Sequence, residues 1–469
     1  MGTIITNGTI VNASEIFKAD IQIDEGVITA LAAEIKPQSD DKVVDATGQL
    51  VFPGAIDPHV HFGVPGYADD FRSGTRAAAV GGITTILNYV EPPTKGMSLL
   101  QNLLKWKEMA KESYIDYGLQ PIINAEYSER ALIELPDLVQ EGVCTIKLFM
   151  SARGIGLLLS DVEIYKILTK ARENHVLATV HCENGDVIDQ IVKEILAEGN
   201  TSPIYHGYSR PTALEAEATN RVLAIAKVAG APIRVAHVSC SEAMAEIERA
   251  QNNGQKAFGE TTPHYLTKDI TCLDLPDFEG SKYVCSPPLR EKWQQDVLWR
   301  GIATGILTTI GSDHAPVPFD GGKTLGRQNF SKIPNGGPGV EELFSIIYHY
   351  GVYEKRITLQ KFVEVTSTAT AKQMGIYPQK GNIGIGSDGD LVIVDPKQRR
   401  TISKASQFHK CDYNAYEGTE VQGVITHVLS RGEEIVKNRK IMCSDGRGKY
   451  LRRESGLWRE EAARASSAG

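Results

Sequence analysis

The stretch GAIDPHVHFG, residues 54–63, decides how the rest of the chain is read. It continues the apolar run LVFP at 50–53, and together they read as a buried strand running out into a turn. In a strand, residues i and i+2 share a face, so His59 and His61 aim side by side at one point off the strand end. Two readings are open. The pair is either two histidines in a turn or on an exposed face, or half of a metal site, since neutral imidazole is the commonest metal ligand.

Seven further apolar runs resemble this one in length: GITTILNYV, IDYGLQPIIN, VCTIKLFM, VLATVHC, PIRVAHVSC, QKAFGETTP and ILTTIGSDH. Between them lie segments with helical spacing of apolar residues, among them SLLQNLLKWKEMAKES, DVEIYKILTKAREN, ALEAEATNRVLAIAKVAG and SEAMAEIERAQNNG. Eight strands alternating with helices predict an α/β fold, a (β/α)8 TIM-like barrel. The ends of the chain differ. Residues 3–52, 383–396 and 419–441 alternate over short runs broken by Asn-Gly and Glu-Gly turns, an antiparallel pattern. The expected division is a β-sandwich domain from 1–52 plus 378–445, a barrel at 53–377, and a C-terminal tail at 446–469.

The barrel rule places catalytic groups at the C-terminal ends of strands, and metal-capable residues fall there. The first run ends in His59 and His61, the fourth contains Lys147, the fifth ends in His181, the sixth in His237 and the eighth in Asp313. One polar residue at a strand end is commonly a cap; six at the ends of five strands point to a catalytic metal centre. His314 should point away from it by alternation. Two other motifs do not hold up. GIGSDG at 384–389 spells a dinucleotide fingerprint but precedes a strand and opens no helix, and FDGGKT at 319–324 lacks the first glycine of a phosphate loop.

Composition narrows the partners. At 469 residues, 42% hydrophobic and 23% charged, the chain has the make-up of a soluble globular protein longer than one ordinary domain. A net charge of −8, with no concentrated basic stretch before the tail, disfavours nucleic acid and favours a small-molecule substrate. Seven scattered cysteines without CxxC spacing read as free thiols in a reducing compartment. No leader pattern and no run of 18 uncharged apolar residues is present, so no membrane partner and a cytoplasmic location are expected.

Nearly the whole chain resembles the dihydropyrimidinase and D-hydantoinase family of cyclic amidohydrolases, in the amidohydrolase superfamily. The resemblance rests on DPHVHF, TIKLFMSARG, VHCENGD, PIYHGYSRP, VAHVSC, ETTPHYL, FEGSKYVCSPPLR, GSDHAP, IPNGGPGVEE, CDYNAYEG and GRGKYL. It implies a binuclear hydrolase that opens a hydantoin- or dihydropyrimidine-type ring. His59, His61, Lys147 and Asp313 would hold one divalent ion, and Lys147, His181 and His237 the other. The ions are expected to be zinc, with manganese or cobalt as alternatives. An ammonium has no acceptor, so Lys147 is implied to carry a carboxyl group derived from CO2 (N6-carboxylysine). Two ions about 3.5–4 Å apart can lower the pKa of a bridging water from about 15.7 toward about 7. The resulting hydroxide would attack, with Asp313 as general base and then general acid. Ser286 and Asn335 would bind the ring amide, and Phe149 with residues 157–159 would line the pocket for its side group. A homotetramer is implied as well. One departure stands out: Ala152 replaces the family's tyrosine, a donor to the developing oxyanion. Allantoinase-, dihydroorotase- or cyclic-imide-type specificity is the alternative, and a charged substrate would need a pocket arginine, with Arg153 and Arg290 as candidates. A non-catalytic scaffold is the more distant one, since all six ligand positions are filled.

Overall fold

The computed structural model of the chain describes residues 2–457. Eight parallel strands form the predicted barrel: Ala55–Val60, Ile83–Val90, Asp116–Pro121, Thr145–Phe149, Leu177–His181, Ile233–Val235, Ala257–Thr261 and Leu307–Ile310. Neighbours pair in chain order through the first three and again through the last five. Two short contacts close the ring. Ile123 N–H donates to Lys147 O (3.0 Å) and His61 N–H to His314 O (3.0 Å), so two metal-capable positions lie at the seams. The strands are buried on both faces, as all eight residues of Ile83–Val90 are, which explains their continuous apolar runs.

Helices cover the outside, and their ends are written locally. Ser98 and Ser160 each accept from the backbone three residues on while Gln101 and Glu163 reach back, which starts Leu99–Met109 and Asp161–Glu173. Gly230, left-handed at φ 66°, ends Thr212–Ala229. The fourth predicted helix is Ser241–Asn252. Further helices are Phe71–Val80, Gly185–Ala197, Trp293–Thr304 and Ser128–Gln140, the last with Pro136 inside it.

Both chain ends build the second domain. One sheet runs Val27–Ala32, Asp20–Asp24, Thr3–Thr6, Lys42–Asp45; the other runs Lys440–Ile441, Glu433–Lys437, Glu420–Ser430, Leu391–Thr401, Leu50–Pro53, Thr9–Val11, Ile16–Lys18. Alternation in the larger sheet serves two cores. Val51, Leu391, Ile393 and Leu429 face the smaller sheet with Ile5, Ile21 and Ile28, while Phe52, Val392, Val394 and Val428 face the barrel core with Phe344 and Phe362. The strand expected from residue 383 begins at Leu391; the glycine-rich 384–389 stretch forms turns there, with Ser387 O accepting from Ile28 N–H. Within the segment set apart as a tail, Tyr117 N–H donates to Lys449 O and Leu451 N–H to Tyr117 O, so it runs beside the third barrel strand, where Arg453 is buried. Residues 458–469 of that segment lie outside the described part.

Candidate metal centre and its cavity

All six predicted ligands meet at the C-terminal mouth of the barrel. His59 Nε2 and His61 Nε2 lie 3.1 and 3.5 Å from Asp313 Oδ1, and these donor atoms fall within 4.8 Å of one another. Lys147 Nζ lies 3.4 Å from His59 Nε2. His181 Nδ1 faces His237 Nε2 at 3.0 Å. The backbone is forced to present two of them: His237 and Asp313 have φ of 35° and 50°, left-handed values that a non-glycine residue adopts at a cost of about 1–3 kcal/mol. Asp57 ties the two strands on which the centre turns, accepting from His59 N–H and Ser312 N–H at 3.0 Å each. Gly311 has to be glycine, because a Cβ there would stand 2.8 Å from His59 Cβ.

Carboxylates behind the histidines choose which nitrogen faces inward. His59 Nδ1–H donates to Glu260 Oε1 (2.6 Å), leaving Nε2 toward Asp313. His181 Nε2–H donates to Glu183 Oε2 (2.7 Å), leaving Nδ1 toward His237. Glu91 sits 3.9 Å from His61 Nδ1. Ligating histidines are held by just such outer hydrogen bonds. Burial would raise the Glu260 carboxyl, but Arg234, fully buried and bonded to it, and His59 overcome this and hold it down to about 2. Burial works the same way on Asp313, and His59 and His61 beside it hold it well below the usual carboxylate range. Lys147 is 1% exposed, between the rings of Tyr89 and Phe149 (4.9 and 5.4 Å), and burial pushes its amine down to about 8.

A cavity of about 570 Å³ opens above these groups, within the usual range for a small-molecule site. Ser286 and Asn335 form one wall, the serine hydroxyl donating to Asn335 Oδ1 (3.2 Å). Behind them Lys323, wholly buried, donates to Val284 O (2.8 Å) and Pro334 O (2.7 Å), clipping together the two loops that carry this pair. Burial pushes Lys323 down to about 7, so it remains a two-bond donor whether charged or neutral. Gly336, at φ 108°, completes the clip; a Cβ there would lie 2.5 Å from Ala315 Cβ. Opposite, Phe149 stacks on His181 (5.3 Å between ring centres).

Of residues 157–159, Leu157 reaches the cavity, whereas Leu159 is packed into the barrel core. Ala152 lines the cavity with φ 63°. Neither arginine singled out in the sequence lines it: Arg153 pairs with Asp186 at the surface, and Arg290 is buried against Glu215. The arginine that does, Arg210, donates to His206 Nδ1 and Ser209 Oγ. His314 turns away, as expected. Its Nε2–H donates to Asp69 and its Nδ1 accepts from Gly339 and Val340 N–H. A second buried group, Glu341, Glu342 and His409, lies beyond His314, but Glu341 already holds Arg439 and the Phe408 N–H.

Sequence reading missed Glu260, Glu183, Glu91, Arg234, Lys323 and Tyr67. A glutamate and an arginine inside the otherwise buried runs AFGET and PIRVAH were the available signal for Glu260 and Arg234, because charges are rarely buried unpaired.

The profile of the Amidohydrolase family matches residues 50–435. The chain is 44% identical over 459 residues to the D-hydantoinase of Geobacillus stearothermophilus, covering 97% of each. It is 43% identical over 458 residues to the D-hydantoinase of Ralstonia pickettii, covering 97% of this chain and 99% of that one. Among solved structures, the dihydropyrimidinase from Brevibacillus agri matches with a TM-score of 0.94 at 45% identity, over 97% of this chain and 99% of that one. With its barrel, its second sheet domain and its histidine-rich mouth, the chain belongs to the amidohydrolase family, in the branch of the D-hydantoinases and dihydropyrimidinases.

Proposed function

We propose that this enzyme hydrolyses the ring amide of a cyclic ureide or amide of hydantoin or dihydropyrimidine type. The observation that carries the reading is the convergence of His59, His61, Lys147, His181, His237 and Asp313 on one cavity floor, with the free ring nitrogens turned inward. That donor set suits two divalent ions. His59, His61, Lys147 and Asp313 would hold one, and Lys147, His181 and His237 the other, zinc fitting the imidazole-rich set best. His237 faces His181 through Nε2, and among the described residues its buried Nδ1 has no hydrogen-bond partner.

When bound, the ions would polarise the carbonyl and lower the pKa of a water. Lys147 would reach both through a carbamate: its Nζ bonds to the carbon of CO2 and loses a proton. Asp313, held as an anion, takes the proton of the attacking water and returns it to the leaving ring nitrogen. Ser286 and Asn335 orient the –NH–CO– edge, and Phe149 contacts the side group.

A dihydroorotate-type ring, which carries a carboxylate, is not favoured, because Arg153 and Arg290 are engaged away from the cavity. The test is a turnover panel of hydantoin, phenylhydantoin, dihydrouracil, allantoin, dihydroorotate and a cyclic imide with Zn2+-, Mn2+- and Co2+-loaded protein. Hydantoins or dihydrouracil should lead with close to two ions per chain; one ion or none in active enzyme overturns the binuclear assignment. A cytoplasmic location agrees with seven free cysteines, and light scattering should return four times the 51.2 kDa chain mass if the enzyme is a homotetramer. Among the described residues, no helix is long and apolar enough to cross a membrane.

A further inference from the structure

Attack on an amide carbonyl moves an electron pair onto its oxygen, and a fixed hydrogen-bond donor there is worth a large part of the rate. Position 152 offers none. Ala152 packs beside Tyr89, Ile122 and Leu157, and its side chain ends at Cβ. The hydroxyl of Ser286 is engaged with Asn335. Tyr67 also lines the cavity, with its ring edge-on to His61, 6.4 Å between centres and 75° between planes.

We propose that Tyr67 is the donor to the carbonyl oxygen in this enzyme, taking the place that Ala152 leaves empty. The proposal rests on the ring-opening reading above. Among the described residues the Tyr67 hydroxyl has no hydrogen-bond partner, so it is available to a ligand.

Its loop is also pinned to the segment that carries the general base. Gly63 N–H donates to Asp69 O (3.0 Å), Tyr67 N–H to Val64 O (3.1 Å) and Ala68 N–H to Pro316 O (2.9 Å). Asp69 then bonds His314 (3.2 Å) and accepts from Lys410 N–H (3.0 Å). His314 is the residue after Asp313, so phenol and carboxylate share one frame and need no rearrangement during reaction.

In the step itself, the oxygen of water bonds to the carbonyl carbon and its proton passes to Asp313. The carbonyl π pair moves to oxygen, where the Tyr67 O–H donates without giving up its proton. The pair then returns, the C–N bond breaks, and Asp313 delivers the proton to nitrogen.

The experiment compares wild type, Tyr67→Phe and Tyr67→Leu, each reconstituted with zinc, on the best cyclic amide of the panel. Tyr67→Phe should lose about 10²–10³-fold in kcat with KM and two-ion content unchanged. Tyr67→Phe within twofold of wild type overturns the proposal, whether Tyr67→Leu falls or not, because a fall in the leucine variant alone assigns the ring to packing on His61. Loss of metal from Tyr67→Phe overturns it too. A metal-loaded wild type that opens no cyclic amide overturns the parent reading instead.

Discussion

At the floor of the cavity, each of three histidines has a carboxylate behind it, Lys147 and His59 are 1% exposed, and Asp57 locks two strand ends together. At the rim, the turn after the fourth strand carries Arg153, Gly154, Ile155 and Gly156 into solvent, with Ile155 74% exposed. If the floor groups do the chemistry proposed above, which is the same for every substrate, their positions need to be fixed tightly, and the buried partners behind them do that. On the same reading the rim groups meet the part of the substrate that varies, and they stand exposed. Lys323 stands between the two, a buried clip under a rim wall.

Substitutions should follow that gradient. Lys147→Ala is expected to abolish two-ion loading and turnover together, with partial return on adding small carboxylates; full activity without additive would mean the floor tolerates a missing bridge. Asp313→Asn should keep metal through its amide oxygen yet lose about 10²–10⁴-fold in kcat, since the proton has no carrier. Parallel elemental analysis and steady-state kinetics check this, and a mutant with near wild-type kcat sends the proton elsewhere.

Glu260→Gln sharpens the comparison one layer out. It should weaken metal affinity about 10–100-fold while kcat at saturating zinc stays near wild type, as read by titration against a chelator. It should also lower Tm, because Arg234 is left buried without its partner charge. The smallest effect belongs to Lys323→Met, which should raise KM more than it lowers kcat.

The Lys323 pH dependence has a definite sign. Its amine titrates near 7 in the fold against a usual 10.5, so the unfolded chain binds more protons in between and this group's stability contribution grows as pH rises from about 7 toward 10.5. The Tm gap between wild type and Lys323→Met should therefore widen from about pH 6.5 to pH 9. A constant gap would mean that the clip does not titrate in this range.

The barrel and the six floor residues were legible because each signal is local: an apolar run, then a residue type that such a run rarely ends in. The carboxylates behind them were not, because Glu260 meets His59 across 201 residues and a glutamate carries no mark of its partner. Lys323 was legible only as a failed phosphate loop; what it does depends on two carbonyls brought near it by folding. The helix Ser128–Gln140 forms with Pro136 inside it, because packing of Ala131, Leu135 and Leu138 outweighs local propensity.

The sheet shared by both chain ends also sets a timetable for synthesis. Leu50–Pro53 is hydrogen-bonded in the fold to the strand that begins at Leu391, which leaves the ribosome about 340 residues later. At about 5–20 residues per second, the wait is on the order of 20–70 s. Through that interval Val51 and Phe52, each destined for a different core, have neither of their covers complete. The nascent chain thus carries an apolar strand edge for most of its translation, and chaperone dependence during expression should track this delay more closely than the stability of the finished enzyme.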